Sequence, residues 1–160
     1  MKLGIMSDSH DNLPLITRAV EIFNNEEVEM VLHAGDFVSP FTADILKGLK
    51  AQFVGVFGNN DGDKLFLRRK FDDIGMIHED YLETLLDNKN IALMHQPKFL
   101  EALAASSKYD LIVYGYTHEI DIRTGTPLIV NPGECGGWLT GSGTIVVVEL
   151  DNMTPNIHIL

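Results

Sequence analysis

Lys2-Leu3-Gly4-Ile5-Met6-Ser7-Asp8-Ser9-His10 decides how this chain reads. Lys2 to Ser7 is a short, largely apolar run of the kind that forms a buried strand. It ends abruptly on a carboxylate and an imidazole. The arrangement recurs along the chain. Val28 to Ala34 runs into Gly35-Asp36, and Ala51 to Phe57 runs into Gly58-Asn59-Asn60-Asp61. Further on, Ile91 to His95 ends on its histidine, and Asp110 to Tyr114 leads into Gly115-Tyr116-Thr117-His118. Acidic, amide and imidazole groups therefore collect at the C-terminal ends of successive strands, where open α/β sheets keep their chemistry.

Helical patterns separate the first strands. Asn12 caps a helix with Pro14 in its first turn, and Leu15, Ile16, Ala19, Val20, Ile22 and Phe23 follow at helical spacing before Asn24-Asn25. Ser39-Pro40 starts a second helix with Phe41, Ala43, Ile45, Leu46 and Leu49 on one face. Asp61 or Asp63 caps a short third helix through Lys70. This β-α-β-α-β-α order implies parallel strands with right-handed crossovers.

The second half changes character. Tyr81 to Asp87 and Ile91 to His95 read as a hairpin around Asn88-Lys89, and a short helix spans Lys98 to Ser107. Ile120 to Thr124 pairs with Leu128 to Val130 around Gly125-Thr126-Pro127, and Thr144 to Leu150 pairs with Asn156 to Ile159. So many strands predict an α/β fold of two sheets packed face to face with helices outside, the first more parallel and the second more antiparallel. Residues 1–160 are expected to form one domain, long enough to bury roughly two thirds of the unfolded surface.

Bulk composition narrows the function classes. Apolar residues make up 45% and charged residues 22%, as in ordinary globular chains. No run approaches the roughly 18 apolar residues of a membrane span, and the start at Lys2 reads as a strand rather than a signal peptide. The net charge of −11 argues against duplex nucleic acid as a partner. A single cysteine, Cys135, cannot form an internal disulfide, which fits a reducing cytoplasm.

The chemistry follows from residue type. If the segment stays extended, Asp8 and His10 project from one face, and a carboxylate beside an imidazole suits a divalent transition metal. Asp36 and Asn59 add oxygen donors, and His95 and His118 add nitrogen. The set is large enough for two metals sharing one carboxylate. Such a pair, about 3.5–4 Å apart, activates a bridging hydroxide and stabilises charge during displacement at phosphorus.

The run Asp8-x-His10, Gly35-Asp36, Gly58-Asn59-x-Asp61, His95 and Gly115-x-x-His118 resembles the calcineurin-like metallophosphoesterases, especially their small single-domain bacterial and archaeal phosphodiesterase branch. The similarity spans essentially the whole chain, including Asn131-Pro132-Gly133-Glu134. It implies a four-layer α/β/β/α sandwich of two mixed β-sheets flanked by helices, a small phosphoester substrate, and a dimer or tetramer. It also implies two divalent ions (manganese, nickel, iron or zinc). One metal would take Asp8, His10, Asp36 and His118. The other would share Asp36 and add Asn59, His95 and the residue two before His118, which here is Tyr116.

Three positions depart from the resembled pattern. Tyr116 replaces a histidine, and neutral phenol is a poor ligand. Either its phenolate ligates, or the second metal binds weakly, or one metal alone binds; weakened binding is the favoured outcome. Gln96 stands after His95 where glycine is usual, so it either crowds the second metal or contacts a phosphate oxygen. Asn60 stands where many relatives carry a histidine, so general-acid help worth roughly 10²–10⁴-fold would be missing. Asn59 and Asn60 are the catalytic candidates, and Asn60 and Gln96 the substrate contacts. Asp61, with no histidine to orient, reads as a helix cap.

Other chemistry-bearing residues have plainer readings. His33 is a core or supporting histidine, His78 is a surface residue, His158 lies on the terminal strand with no chemical group beside it, and Cys135 is a packed small residue without a partner base. Asp11 and Asp63 read as helix N-terminal or supporting groups. The expected activity is metal-dependent phosphodiester hydrolysis. Two rivals remain: an impaired relative that binds metal or a phospho-ligand as a module, and a single-metal enzyme.

Overall fold

A computed structural model describes residues 1–160. Its first half alternates β1 (Lys2–Met6), α1 (Leu13–Asn25), β2 (Met30–His33), α2 (Thr42–Leu46), β3 (Gln52–Val56), α3 (Lys64–Lys70) and β4 (Gly75–His78). The four strands pair in parallel, with Leu3 beside Met30, Met30 beside Gln52 and Phe53 beside Gly75. The intervening helices provide the long returns that parallel pairing needs. The second half holds β5 (Tyr81–Leu86), β6 (Lys89–Met94), α4 (Leu100–Ala105), β7 (Leu111–Val113), β8 (Ile120–Arg123), β9 (Leu128–Pro132), β10 (Thr144–Glu149) and β11 (Thr154–Ile159).

Two sheets result, one ordered β11-β10-β1-β2-β3-β4 and the other β5-β6-β7-β9-β8. Side chains alternate between the faces of each strand, and this sorts them into layers. Leu3 and Ile5 of β1 join Leu111 and Val113 of β7 in the dry layer between the sheets. Met6 of β1 turns the other way and packs with Ile16, Phe23, Leu46 and Leu67 from α1, α2 and α3. Ile112 of β7 likewise turns outward, beneath Leu100 of α4. The architecture is the expected four-layer α/β/β/α sandwich.

Some expectations of detail are corrected. β4 was not anticipated, because Gly75-Met76-Ile77-His78 is short and lacks alternation; it forms only by adding to the edge of β3. His78 is consequently half-buried on a strand rather than solvated surface. The final hairpin extends the first sheet, with β10 antiparallel to β1. The second sheet is evenly mixed, since β7 lies parallel to both β6 and β9. Helix α2 is a five-residue segment, shorter than its apolar pattern suggested.

Candidate metal centre

The sequence-selected residues lie in loops that follow β1, β2, β3, β6 and β7, so both sheets supply side chains to one end of the sandwich. Asp8, His10, Asp36, Tyr116 and His118 all have positive φ, between 42° and 73°. The Asp8–His10 segment is therefore not extended, which corrects the expectation from spacing. Left-handed backbone at five such residues stores strain that the surrounding contacts must hold in place. Two glycines allow the loops to close on the site. A Cβ at Gly58 would sit 2.1 Å from Asp36 Oδ1, and one at Gly115 would sit 1.9 Å from Ser7 Oγ.

The Asp8 carboxylate is held asymmetrically. Its Oδ2 accepts from Ser7 Oγ at 2.5 Å and from Tyr116 N at 3.0 Å. Its Oδ1 is buried without a hydrogen-bond partner, and so is His10 Nε2. Those two atoms lie 3.8 Å apart, and His118 Nε2 is 3.4 Å from the same Asp8 oxygen. Burial pushes the Asp8 carboxyl upward, but the facing His10 and the Ser7 hydroxyl outweigh it and hold it low. The Asp8 carboxylate raises His10 in turn, as a charge attraction beyond hydrogen-bond reach.

The two histidines from the second sheet are oriented through their outer nitrogens. His118 Nδ1 donates to Glu134 Oε2 at 2.8 Å, and His95 Nδ1 donates to the Ala34 carbonyl at 2.7 Å. Each Nε2 is thereby left as a lone pair aimed into the site, the arrangement that second partners impose on metal-binding histidines. His95 Nε2 faces Asn59 Oδ1 at 2.9 Å and Asp36 Oδ2 at 3.5 Å. Lone pairs converging from three groups suit a cation. The donor atoms of Asp8, His10 and His118 lie close enough together to hold a metal, as do those of Asp8, Asp36 and His95.

The remaining selected residues divide. Asn60 donates to both Asp36 oxygens, from its backbone N at 2.8 Å and from Nδ2 at 2.7 Å. Gln96 Nε2 reaches Asn59 Oδ1 at 3.5 Å, the outer limit of a hydrogen bond. The Tyr116 ring meets His95 edge-on at 5.6 Å and stays 46% exposed, so it covers the His95 half of the site.

Asp61 is not a helix cap. Its carboxylate accepts from the backbone of Asp36 (3.2 Å), Val38 (2.8 Å) and Gly58 (2.6 Å), tying the loop after β2 to the loop after β3. Asp63 caps α3 instead, through Phe66 N. Asp11 accepts from Ser39 N and Oγ and so braces the loop after β2. Cys135 is fully buried, and burial pushes its thiol up to about 12, which leaves it inert.

Sequence reasoning missed roles for two residues. Glu134 orients His118 and also accepts from Leu139 N at 2.7 Å and Thr140 N at 2.5 Å. Asn131 donates to Gly115 O and Thr117 Oγ1, fixing the turn that carries Tyr116 and His118. The available signal was an Asn-Pro-Gly-Glu run directly after a strong apolar strand, polar where a buried strand should stay apolar.

Fold and donor cluster together define an α/β/β/α sandwich with groups placed to hold divalent metal. Residues 1–153 match the calcineurin-like phosphoesterase superfamily domain, and the chain belongs to that superfamily. A phosphodiesterase of Methanocaldococcus jannaschii is 41% identical over 156 residues, which cover 94% of each chain. The solved structure of an archaeal phosphodiesterase superposes over 100% of both chains with a TM-score of 0.94 and 39% identity. The phosphodiesterase YfcE of Escherichia coli is 26% identical over 148 residues, covering 83% of this chain and 78% of its own. Members of the family work with divalent metal ions.

Proposed function

We propose that this chain is a metal-dependent phosphodiesterase working as a single domain. The observation that carries the reading is the pair of buried, unpartnered donors, Asp8 Oδ1 and His10 Nε2, with His118 Nε2 turned toward them. Orphaned buried polar atoms are costly and rare, and a cation satisfies them together. Asp8, His10, Asp36 and His118 would hold one divalent ion, and Asp36, Asn59 and His95 a second, weaker one. Manganese, nickel, iron and zinc all suit these donors. Bound there, the ions supply an activated water and neutralise charge at phosphorus.

The chain's own residues set the remaining terms. Hydrolysis adds water across one P–O ester bond, giving a monoester and an alcohol. Asn59 orients a phosphoryl oxygen, and Gln96 and the outer face of Asn60 contact the substrate. An amide at Asn60 cannot hand a proton to the departing alcohol, so esters with good leaving groups are favoured. The high identity to proteins named phosphodiesterases, over nearly the whole chain, favours an enzyme over a binding module. No helix is long and apolar enough to cross a membrane. A cytoplasmic dimer or tetramer that avoids duplex nucleic acid fits the acidic chain and its single buried thiol.

Metal stoichiometry measured beside hydrolysis of bis(p-nitrophenyl) phosphate tests this. The expected result is one tight and one weak manganese equivalent, with turnover rising as the weak site fills. One metal per chain and no turnover across a panel of diesters would overturn it.

A further inference from the structure

A cavity of about 620 Å³ opens from the Asn59–His95 edge of the centre. Its volume falls in the range of small-molecule pockets, roughly 300–1,000 Å³. Asn59, His95 and Gln96 form its inner rim, whereas Asp8, His10, Asp36 and His118 do not border it. Any group extending from a phosphate held at the centre on the His95 side enters this space.

The walls select what fits. Tyr81 and Phe99 present exposed rings, and the buried Phe57 and Met94 complete the apolar lining with Leu103. Tyr81 is fixed through its hydroxyl, which lies 2.9 Å from that of Tyr109 and 2.9 Å from Glu83, another lining residue, which in turn pairs with Lys108. A wall held in place this way is pre-organised and loses little freedom on binding. Lys64 and Lys98 are the only lysines or arginines on the lining, and Lys64 Nζ stands 5.1 Å from the Phe57 ring centroid. Asp80 and Glu83 also line the cavity, so its wall carries no net positive charge, but Glu83 is paired with Lys108 and the two lysines supply the attraction for a phosphate anion.

We propose that the cavity is the specificity pocket of the enzyme and takes one ester group of the substrate, and that this group is aromatic. Ring faces and a thioether favour a flat aromatic guest over an aliphatic one of equal area, through stacking and sulfur–ring contacts. The two lysines hold the adjoining phosphate at the mouth. The inference rests on the phosphodiesterase reading of the neighbouring centre, which it extends to a substrate class.

The test uses zinc-loaded protein labelled at its methionine methyl groups, titrated with diphenyl phosphate and with dimethyl phosphate. The Met94 methyl signal is expected to shift saturably with diphenyl phosphate, at a midpoint at least tenfold lower than with dimethyl phosphate. Leu103→Trp, which fills the pocket, is expected to abolish that preference and to raise KM for bis(p-nitrophenyl) phosphate tenfold with kcat within twofold. Phe99→Ala, at an exposed position that leaves the fold intact, is expected to weaken diphenyl phosphate at least threefold. Equal midpoints for the two probes, or an unmoved Met94 signal, would overturn the proposal. The signal needs no turnover, so a Met94 response without hydrolysis of any diester upholds the pocket and sinks the enzyme reading. Hydrolysis without a Met94 response does the reverse.

Discussion

Glu134→Gln tests the logic of the centre at a residue that touches no proposed metal. One Glu134 oxygen takes the His118 Nδ1 proton, and the other takes the backbone N–H groups of Leu139 and Thr140. Glutamine has one acceptor oxygen. Pointing it at the two backbone donors keeps two bonds, whereas pointing it at His118 sets the amide NH₂ against both of them. The first orientation wins, and the amide then donates to His118 Nδ1. The imidazole must change tautomer, which places a proton on Nε2, 3.4 Å from Asp8 Oδ1. A protonated Nε2 cannot ligate.

Metal affinity at the Asp8–His10–His118 group should therefore fall about 10–100-fold, or roughly 1.4–2.7 kcal/mol. Fold stability should fall by only about 1 kcal/mol, since one charge-assisted bond becomes a neutral one. That corresponds to a Tm loss of roughly 2–4 °C for a chain of this length. Competition titration with zinc measures the first quantity, thermal unfolding the second, and ¹⁵N spectra of the histidine rings report the tautomer. A variant with Nε2 protonated and zinc affinity unchanged within twofold would refute the reasoning, because His118 would then not be a ligand.

Tyr116→His restores the donor that the family pattern expects, and should tighten the weaker metal equivalent and speed diester hydrolysis by tenfold or more; an unchanged rate in a manganese titration would remove Tyr116 as the cause of a weak second site. His33 gives a pH prediction. Its Nδ1 accepts from Gly35 N, leaving Nε2–H for Ser9 Oγ, and burial pulls it from an ordinary 6.5 down to about 3. The folded chain keeps this ring neutral while the unfolded chain takes up a proton, so stability falls as pH drops from 6.5 toward 3, by as much as ~1.4 kcal/mol per unit. His33→Asn, which keeps an acceptor but cannot titrate, should flatten the pH dependence of urea midpoints between about pH 4 and 6 in metal-free protein. Parallel profiles for the two proteins would contradict this.

Much of the architecture was legible because its signals are local. The alternation of apolar strands with amphipathic helices through Lys70 prescribes parallel pairing, and every strand that carries a candidate ligand was visible as an apolar run. β4 was not visible, because four residues without alternation become a strand only when a neighbour's edge supplies their hydrogen bonds. The sheet that would receive the final hairpin was equally hidden. Both sheets offer an edge, and only the packing of Ile145 and Val147 against the helices and Val146 and Val148 against the other sheet decides between them.

At the site, the sequence by itself determined which side chains arrive and in what order: Asp8, His10, Asp36, Asn59, His95, the odd Tyr116 and His118 all stand at strand ends, where local patterning puts them. Tertiary structure alone decided how they face. The turn at Asp8 to His10 is left-handed rather than extended, Asp61 braces two loops instead of capping a helix, and Glu134 reaches His118 from sixteen residues away. The physical reason is that strand and helix patterns are written in near neighbours. The direction of a carboxylate or the tautomer of an imidazole is set by hydrogen bonds between segments that meet only after the two sheets have packed.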